Sequence, residues 1–178
     1  ARLPVLRVPV ERARKAFPEY APVRVAGRRI FRRISYGPLL DVFVLDMRSY
    51  RAANSWNRQT APSPETDYMG RTQIRWFQEA LRGSKAAWKV IAADMPIALP
   101  VADGMDKQSR PMFEASANGD GPPLGREFEF VDILGFMKRH NIRNTIWLTA
   151  DVHYTAAHYY DPGKARFTEF LPFWEFVS

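Results

Sequence analysis

A short apolar strand that runs directly into an acid and an imidazole is the feature that most constrains this chain. Residues 144–153 read Asn-Thr-Ile-Trp-Leu-Thr-Ala-Asp-Val-His, so Asp151 and His153 lie two residues apart at the end of the strand. Alternate side chains of a strand point to one side, and ligands of open α/β folds bind at the carboxyl ends of strands. A carboxylate and an imidazole that converge there suit a metal ion such as zinc or iron.

The same two residues have an ordinary structural interpretation. An aspartate after a strand can cap the next turn, and a histidine can simply pack against its neighbours. A metal site also needs more ligands than these two. Spacing alone therefore leaves both interpretations of Asp151 and His153 open.

Two further predicted strands also end in polar side chains. Residues 39–46 lead into Asp46-Met-Arg48, and residues 88–93 lead into Asp94. If these strands lie side by side in parallel with the strand before Asp151, all of these groups share one edge of the sheet. Arg48 is then a candidate phosphate contact, because its planar guanidinium can donate two parallel hydrogen bonds. The sequence alone favours a structural ion pair between Asp46 and Arg48 over that contact.

Strands and helices alternate along the chain, which favours a layered α/β domain. Strands are predicted at residues 28–36, 39–46, 88–93, 145–149, 158–160 and 166–170. Helices are predicted at residues 72–82 and 127–140, where apolar residues recur at helical spacing. The intervening stretches 54–70 and 98–125 are predicted loops. The second is longer than most connections between secondary-structure elements, and such loops are usually functional or disordered.

Four segments resemble signatures of the PhoD-like (alkaline phosphatase D) family of metallophosphoesterases. They read Val-Leu-Asp-Met-Arg-Ser-Tyr-Arg at 44–51, Trp-Lys-Val-Ile-Ala-Ala-Asp-Met-Pro-Ile at 88–97, Trp-Leu-Thr-Ala-Asp-Val-His-Tyr-Thr-Ala-Ala-His-Tyr-Tyr-Asp-Pro at 147–162, and Pro-Phe-Trp-Glu-Phe-Val-Ser at 172–178. The resemblance implies a layered, metallophosphoesterase-like α/β sandwich that is incomplete in this chain. Residues 1–178 would form one partial catalytic domain, with a basic segment 1–33 followed by a PhoD-like region 34–178.

The resemblance also implies a chemistry. Members of this family use a metal-bound hydroxide on phosphomonoesters or phosphodiesters, with iron and calcium as the metals. On this basis Asp151 and His153 are metal ligands, and Arg48 is a candidate phosphate contact. The chain has no cysteine and no Gly-x-Ser-x-Gly elbow, so two common kinds of side-chain nucleophile are missing.

The sequence departs from the family pattern at both ends. Further metal ligands of the family lie upstream in Gly-Asp-x-x-Tyr and Trp-x-Asp-His-Glu segments, and neither occurs in residues 1–43. The family continues past Phe-Val-Ser with Gly-Pro, and many members have Gly where this chain has Ala150. We therefore expect a C-terminal part of the catalytic domain that binds metal weakly and is inactive alone. An exposed apolar sheet edge should favour self-association.

Charge supports a second class of function. Residues 1–33 hold ten Arg or Lys against two Glu, a net charge of +8, whereas residues 34–178 carry a net charge of −1. A basic arm can bind nucleic acid or another polyanion, although no recognised nucleic-acid-binding motif accompanies it. No apolar run is long enough to span a membrane, and no signal-peptide core is present. The sequence does not assign a compartment.

Other polar and aromatic residues have ordinary explanations. His158 is expected on the opposite side of its strand from His153, as a packed or surface residue. His140 should complement the helix macrodipole at the end of residues 127–140. Tyr50 and Arg51 either contact substrate or pack at the mouth of a loop. The core is expected to include these aromatic residues: Trp147, Phe173, Trp174 and Phe176.

Overall fold

The computed structural model describes residues 4–23 and 29–178, with side chains from residue 11 onward. The helices are α1 (Pro4–Tyr20), α2 (Arg71–Arg82) and α3 (Glu127–Arg139). The strands are β1 (Arg32–Tyr36), β2 (Leu40–Val44), β3 (Trp88–Ala92), β4 (Ala102–Met105), β5 (Pro111–Phe113), β6 (Thr145–Thr149), β7 (Ala156–Tyr160) and β8 (Phe173–Val177). A short 3-10 turn spans Pro162–Lys164. Part of the basic segment, at residues 1–3 and 24–28, lies outside the described residues.

A six-stranded mixed sheet organises the fold in the order β1-β2-β3-β6-β8-β7. The four inner strands β2, β3, β6 and β8 are parallel, and the edge strands β1 and β7 are antiparallel to their neighbours. Strands β4 and β5 form a separate small hairpin. The predicted α/β class is confirmed, and the carboxyl ends of β2, β3 and β6 lie next to one another as expected.

Helices α2 and α3 cover one face of the sheet. Phe43, Ile91 and Trp147 lie in register on adjacent strands and point into this layer, where each is fully buried. Phe77 of α2 packs edge-on against Trp147, with the ring centroids 6.2 Å apart. Ile133 of α3 is also fully buried. Complete burial of side chains of this size contributes about 1.5–3 kcal/mol each, which makes this layer the main source of stability.

The other face of the sheet is largely open. Among the described side chains of helix α1, Ala13 and Phe17 lie at the ends of β2 and β3, where they line a cavity of about 510 Å³ together with Val44 and Ala92. Farther along this face, large apolar side chains are exposed to solvent. They are Trp88, Leu148, Tyr159, Trp174 and Phe176. In the described part of the chain, no helix combines the length and apolar character needed to cross a membrane.

Several predictions about individual elements were wrong. Residues 166–170 form no strand, and β8 supplies the last strand instead. Trp174 and Phe176 are not core residues, because β8 alternates and turns its odd-numbered residues inward. The loop at 98–125 contains the β4–β5 hairpin, and helix α1 was not predicted. The helices predicted at 72–82 and 127–140 are confirmed to within one residue at each end.

Candidate functional site: a carboxylate cluster around Arg48

A tight turn after β2 presents Arg48 at the carboxyl edge of the sheet. The Oδ1 atom of Asp46 accepts hydrogen bonds from the backbone N–H groups of Arg48, at 3.1 Å, and Ser49, at 2.8 Å. Buried Gln73 fixes the same turn, because it accepts from the Asp46 N–H and donates to the Asp46 carbonyl, both at 2.8 Å. Asp46 therefore shapes the turn, and the ion pair expected between the Asp46 and Arg48 side chains is not formed.

The guanidinium of Arg48 instead pairs with carboxylates from three other segments. Nε lies 3.3 Å from Oδ2 of Asp94, Nη2 lies 2.7 Å from Oδ1 of Asp151, and Nη1 donates to Glu114. Asp94 follows β3, Glu114 follows β5 and Asp151 follows β6, so Arg48 joins its own turn after β2 to three other loops. Arg48 thus faces three acidic groups at a surface that solvent can reach, and Glu114 has a second cationic neighbour in Arg51, whose Nη1 lies 3.5 Å from Oε1.

The cluster perturbs the acidity of its members in different directions. Burial alone would lower the pKa of Arg48, but its hydrogen bond to Glu114 and the charge of Asp151 raise the pKa above the ordinary value. The Arg48 hydrogen bond lowers the pKa of Glu114. Burial raises the pKa of Asp94, which makes it the member whose ionised form is least favoured.

A buried arginine holds the loop that carries Glu114. Arg126 is completely buried, and its guanidinium donates to the backbone carbonyl oxygens of five residues, Ala52, Ala53, Phe113, Glu114 and Ala115. Burial lowers the pKa of Arg126 to about 10. Arg51 also donates to the Glu114 carbonyl, at 3.0 Å. These bonds lock two irregular segments together and fix Glu114 beside Arg48.

Asp151 and His153 lie beyond the end of β6, in a bend rather than on the strand. Their backbone φ angles are 77° and 56°, so both are in the left-handed region that few non-glycine residues adopt. Strand alternation therefore does not orient them, contrary to expectation. Such conformations cluster at functional sites. Through Oδ1, Asp151 joins the Arg48 cluster, whereas the exposed His153 ring has no polar partner among the residues that the structure describes.

The other two histidines lie at the end of α3 and in β7. His140 caps the C-terminus of α3, as expected, next to Lys138 and Arg139 in the last helical turn. His158 is half-buried in β7, where Nδ1 lies 3.2 Å from Oε2 of the buried Glu175. Across residues 11–23 and 29–178, no three His, Cys, Asp or Glu side chains are grouped so that they could hold a metal ion.

Comparison with known proteins connects this geometry to a family. The family model of the PhoD-like phosphatases matches residues 5–178. The chain belongs to the PhoD-like phosphatase family. Over 153 residues it is 29% identical to alkaline phosphatase D of Bacillus subtilis (strain 168), an alignment that covers 79% of this chain and 25% of that relative.

A solved structure described as the structure of PhoD is similar as well. It aligns with a TM-score of 0.65 and 26% identity, and covers 93% of this chain and 33% of its own chain. This PhoD-like chain thus spans about a quarter of the curated relative and a third of the solved structure. The comparisons confirm the family resemblance of the four sequence segments and the layered fold.

Sequence reasoning missed two acidic members of the site region. Glu114 lies in the loop whose length suggested function, but no motif singled it out. Glu175 stands inside the matched Phe-Trp-Glu-Phe-Val-Ser segment, where its inward position on an alternating strand was the available signal. Both residues act through contacts with segments that are distant in sequence.

Proposed function

We propose that this chain forms part of the site of a phosphoric ester hydrolase that acts on phosphomonoesters or phosphodiesters. The observation that supports it most is Arg48, whose guanidinium stands at the carboxyl edge of the sheet within 2.7 Å of Asp151. Arginine is suited to phosphate because its fork donates parallel hydrogen bonds to two oxygens. The family membership gives this geometry its reaction class.

Asp151 and His153 are the proposed metal ligands. One oxygen of Asp151 accepts from Arg48, and its other oxygen, Oδ2, makes no hydrogen bond within the described ranges. The exposed imidazole of His153 is likewise available. An oxygen and a nitrogen donor suit iron, and carboxylates suit calcium. These two residues fit part of a metal site, and the remaining donors would come from outside this chain.

Arg48 must change partners to contact a phosphoester. All three of its guanidinium nitrogens are engaged, so Nη2 would release Asp151 when it donates to a phosphoryl oxygen. This exchange costs little because exposed ion pairs contribute only about 0–1 kcal/mol. When bound, the metals supply a water of lowered pKa and neutralise charge on the phosphoryl oxygens.

The test compares the 178-residue chain with the longest product of its reading frame. Both are assayed with p-nitrophenyl phosphate and its bis-ester in the presence of iron and calcium. We expect turnover only from a longer product that contributes further ligands, and we expect Asp151→Ala to abolish it. Asp103→Ala is the matched control, because Asp103 is an exposed aspartate on the β4 strand.

Two results would change these conclusions in different ways. Metal-dependent turnover by the 178-residue chain, lost in Asp151→Ala, would support the reaction class and contradict the expectation that further ligands are needed. Full turnover by Asp151→Ala in a longer product would remove Asp151 from the site. If the reading frame ends at residues 1 and 178, the absence of turnover by that chain is the expected result.

A further inference from the structure

Glu175 is a completely buried carboxylate at the centre of a hydrogen-bond network. Its Oε1 atom accepts from the backbone N–H of Ile97 and from the hydroxyl of Thr149, both at 2.9 Å. Its Oε2 atom accepts from the hydroxyl of Tyr160 at 2.6 Å. Nδ1 of His158 lies 3.2 Å from the same oxygen. With Glu175 ionised, its oxygens only accept, which assigns the imidazole proton to Nδ1.

An acidic residue at this position is costly for the fold. The inward neighbours of Glu175 on β8 are Phe173 and Val177, and both are buried apolar residues. A buried charge requires full compensation by hydrogen bonds, and an apolar side chain of similar volume is often more stable. Stability of β8 therefore does not explain the carboxylate, whereas its contacts with other segments do.

Two of these contacts reach the loops that carry the Arg48 cluster. Ile97 lies three residues after Asp94, on the loop that follows β3. Thr149 is the last residue of β6 and lies two residues before Asp151. Oε1 accepts both of these hydrogen bonds, so a single atom connects the start of the Asp151 bend to the Asp94 loop.

A third contact reaches the far end of the same bend. With its Nδ1 proton directed at Glu175, His158 accepts from the hydroxyl of Tyr154 through Nε2, at 3.1 Å. Tyr154 directly follows His153. The bend that contains Asp151 and His153 is thus held at both ends by one carboxylate.

We infer that Glu175 is a positioning residue that fixes the Asp151–His153 bend relative to the Asp94 loop. Its effect on the bend is independent of any ligand. Its effect on metal binding rests on the proposed function, so the two effects are measured separately. Glu175 itself is completely buried, so it acts through the residues to which it is bonded.

Hydrogen–deuterium exchange tests the effect on the bend. The variant Glu175→Gln removes the charge and retains a side chain of the same size. We expect amide exchange to rise at least tenfold at Ile97, whose N–H donates to Glu175, and at Ser178, whose N–H donates to the Thr149 carbonyl, while exchange in α2 is unchanged. The matched control is Glu129→Gln, because Glu129 also accepts from three backbone N–H groups, at residues 68–70, and should leave the bend unaffected.

Paramagnetic broadening by Mn²⁺ tests the effect on metal binding. In the wild-type chain, Mn²⁺ should broaden the His153 imidazole resonances before those of His140. Glu175→Gln should abolish this preference, and Glu129→Gln should retain it. A mere loss of stability would affect both variants alike. If the wild-type chain shows no preference, the proposed metal site fails, and the exchange experiment still decides the role of Glu175.

A second variant covers the case in which Glu175→Gln does not fold. Tyr154→Phe removes only the exposed end of the network, and we expect lower NMR order parameters confined to residues 150–155. A folded Glu175→Gln with unchanged exchange at Ile97 and Ser178 would overturn the inference. Unchanged order parameters in Tyr154→Phe would do so if the first variant is unfolded.

Discussion

The guanidinium of Arg48 donates to Asp151 over 2.7 Å and thereby joins two loops that lie 103 residues apart in the chain. The side chains of Arg48 and Asp151 are 38% and 39% exposed. Exposed ion pairs contribute about 0–1 kcal/mol, because water already stabilises both charges. We predict that Asp151→Asn lowers the free energy of unfolding by less than about 1 kcal/mol, as measured by urea denaturation.

The control for this prediction is a buried aspartate. Asp41 is 1% exposed, lies 2.7 Å from Nη2 of Arg33 and accepts from the hydroxyl of Ser84. Hydrogen bonds to buried charged groups contribute more, so Asp41→Asn should cost about 2 kcal/mol. If both variants lose the same free energy of unfolding, the Arg48–Asp151 pair stabilises the fold and is not free to exchange Asp151 for a phosphoryl oxygen.

Glu114 should make stability depend on pH in the acidic range. The hydrogen bond from Arg48 lowers the pKa of folded Glu114 below its unfolded value of about 4.3. A lowered acidic pKa stabilises the fold above the unfolded pKa, and this contribution is lost as the pH falls through the folded pKa. We predict that Glu114→Gln loses less stability than wild type between pH 6 and pH 3 in denaturant titrations.

A glutamate with the opposite shift provides the control. Burial raises the pKa of Glu127, so its ionised form is disfavoured in the folded state and its contribution to stability falls as the pH rises. Glu127→Gln should therefore steepen the gain in stability between pH 3 and pH 6. A change of the same sign in both variants would contradict this assignment of the two shifts.

The sequence predicted the part of the site that depends on local patterns. Alternating apolar strands and helices led to a parallel arrangement in which Arg48, Asp94 and Asp151 share one edge. The sequence did not predict Glu114, because this residue contacts Arg48 across 66 residues of chain and belongs to no local motif. The bend at Asp151 was misjudged because a strand pattern carries no information about the backbone angles that follow its last residue.

Errors on β8 have a different physical origin. Trp174 and Phe176 were assigned to the core because large aromatic residues are usually buried. Their alternation with Phe173, Glu175 and Val177 instead requires them to lie on the opposite face of the strand. Hydrophobicity favoured burial, and the two-residue period decided which face each side chain occupies.

Substitution of Arg126 should disturb the segments at residues 52–53 and 113–115, although Arg126 itself does not contact Arg48. Its buried guanidinium donates to five backbone carbonyl oxygens. Lysine has fewer donors and no planar fork, so Arg126→Lys leaves buried carbonyl groups without partners. We predict a loss of at least about 2 kcal/mol in the free energy of unfolding.

An exposed arginine serves as the comparison for Arg126→Lys. Arg110 pairs with Asp106 four residues earlier at 2.7 Å, and its side chain is 45% exposed. Arg110→Lys should change stability by less than about 0.5 kcal/mol. If the two substitutions cost the same, the five carbonyl contacts of Arg126 contribute little to holding the loops.

The open face of the sheet should drive self-association of this chain. Leu148 lies beside Phe176 on adjacent strands, and Phe176 stacks on Trp174 with the ring centroids 6.0 Å apart. These side chains form a contiguous apolar surface on a face rather than at the expected edge of the sheet, and such surfaces favour association. We predict an average mass above that of a monomer in light scattering at high protein concentration.

A double variant tests whether this face is the cause. Trp174→Thr with Phe176→Thr retains β-propensity and removes most of the apolar area, so it should restore the monomer mass and reduce binding of an apolar dye. Tyr20→Thr is the control, because Tyr20 is 88% exposed and belongs to α1 rather than to the sheet. A wild-type chain that stays monomeric at high concentration would contradict the prediction. Association that persists in the double variant would locate it on another surface.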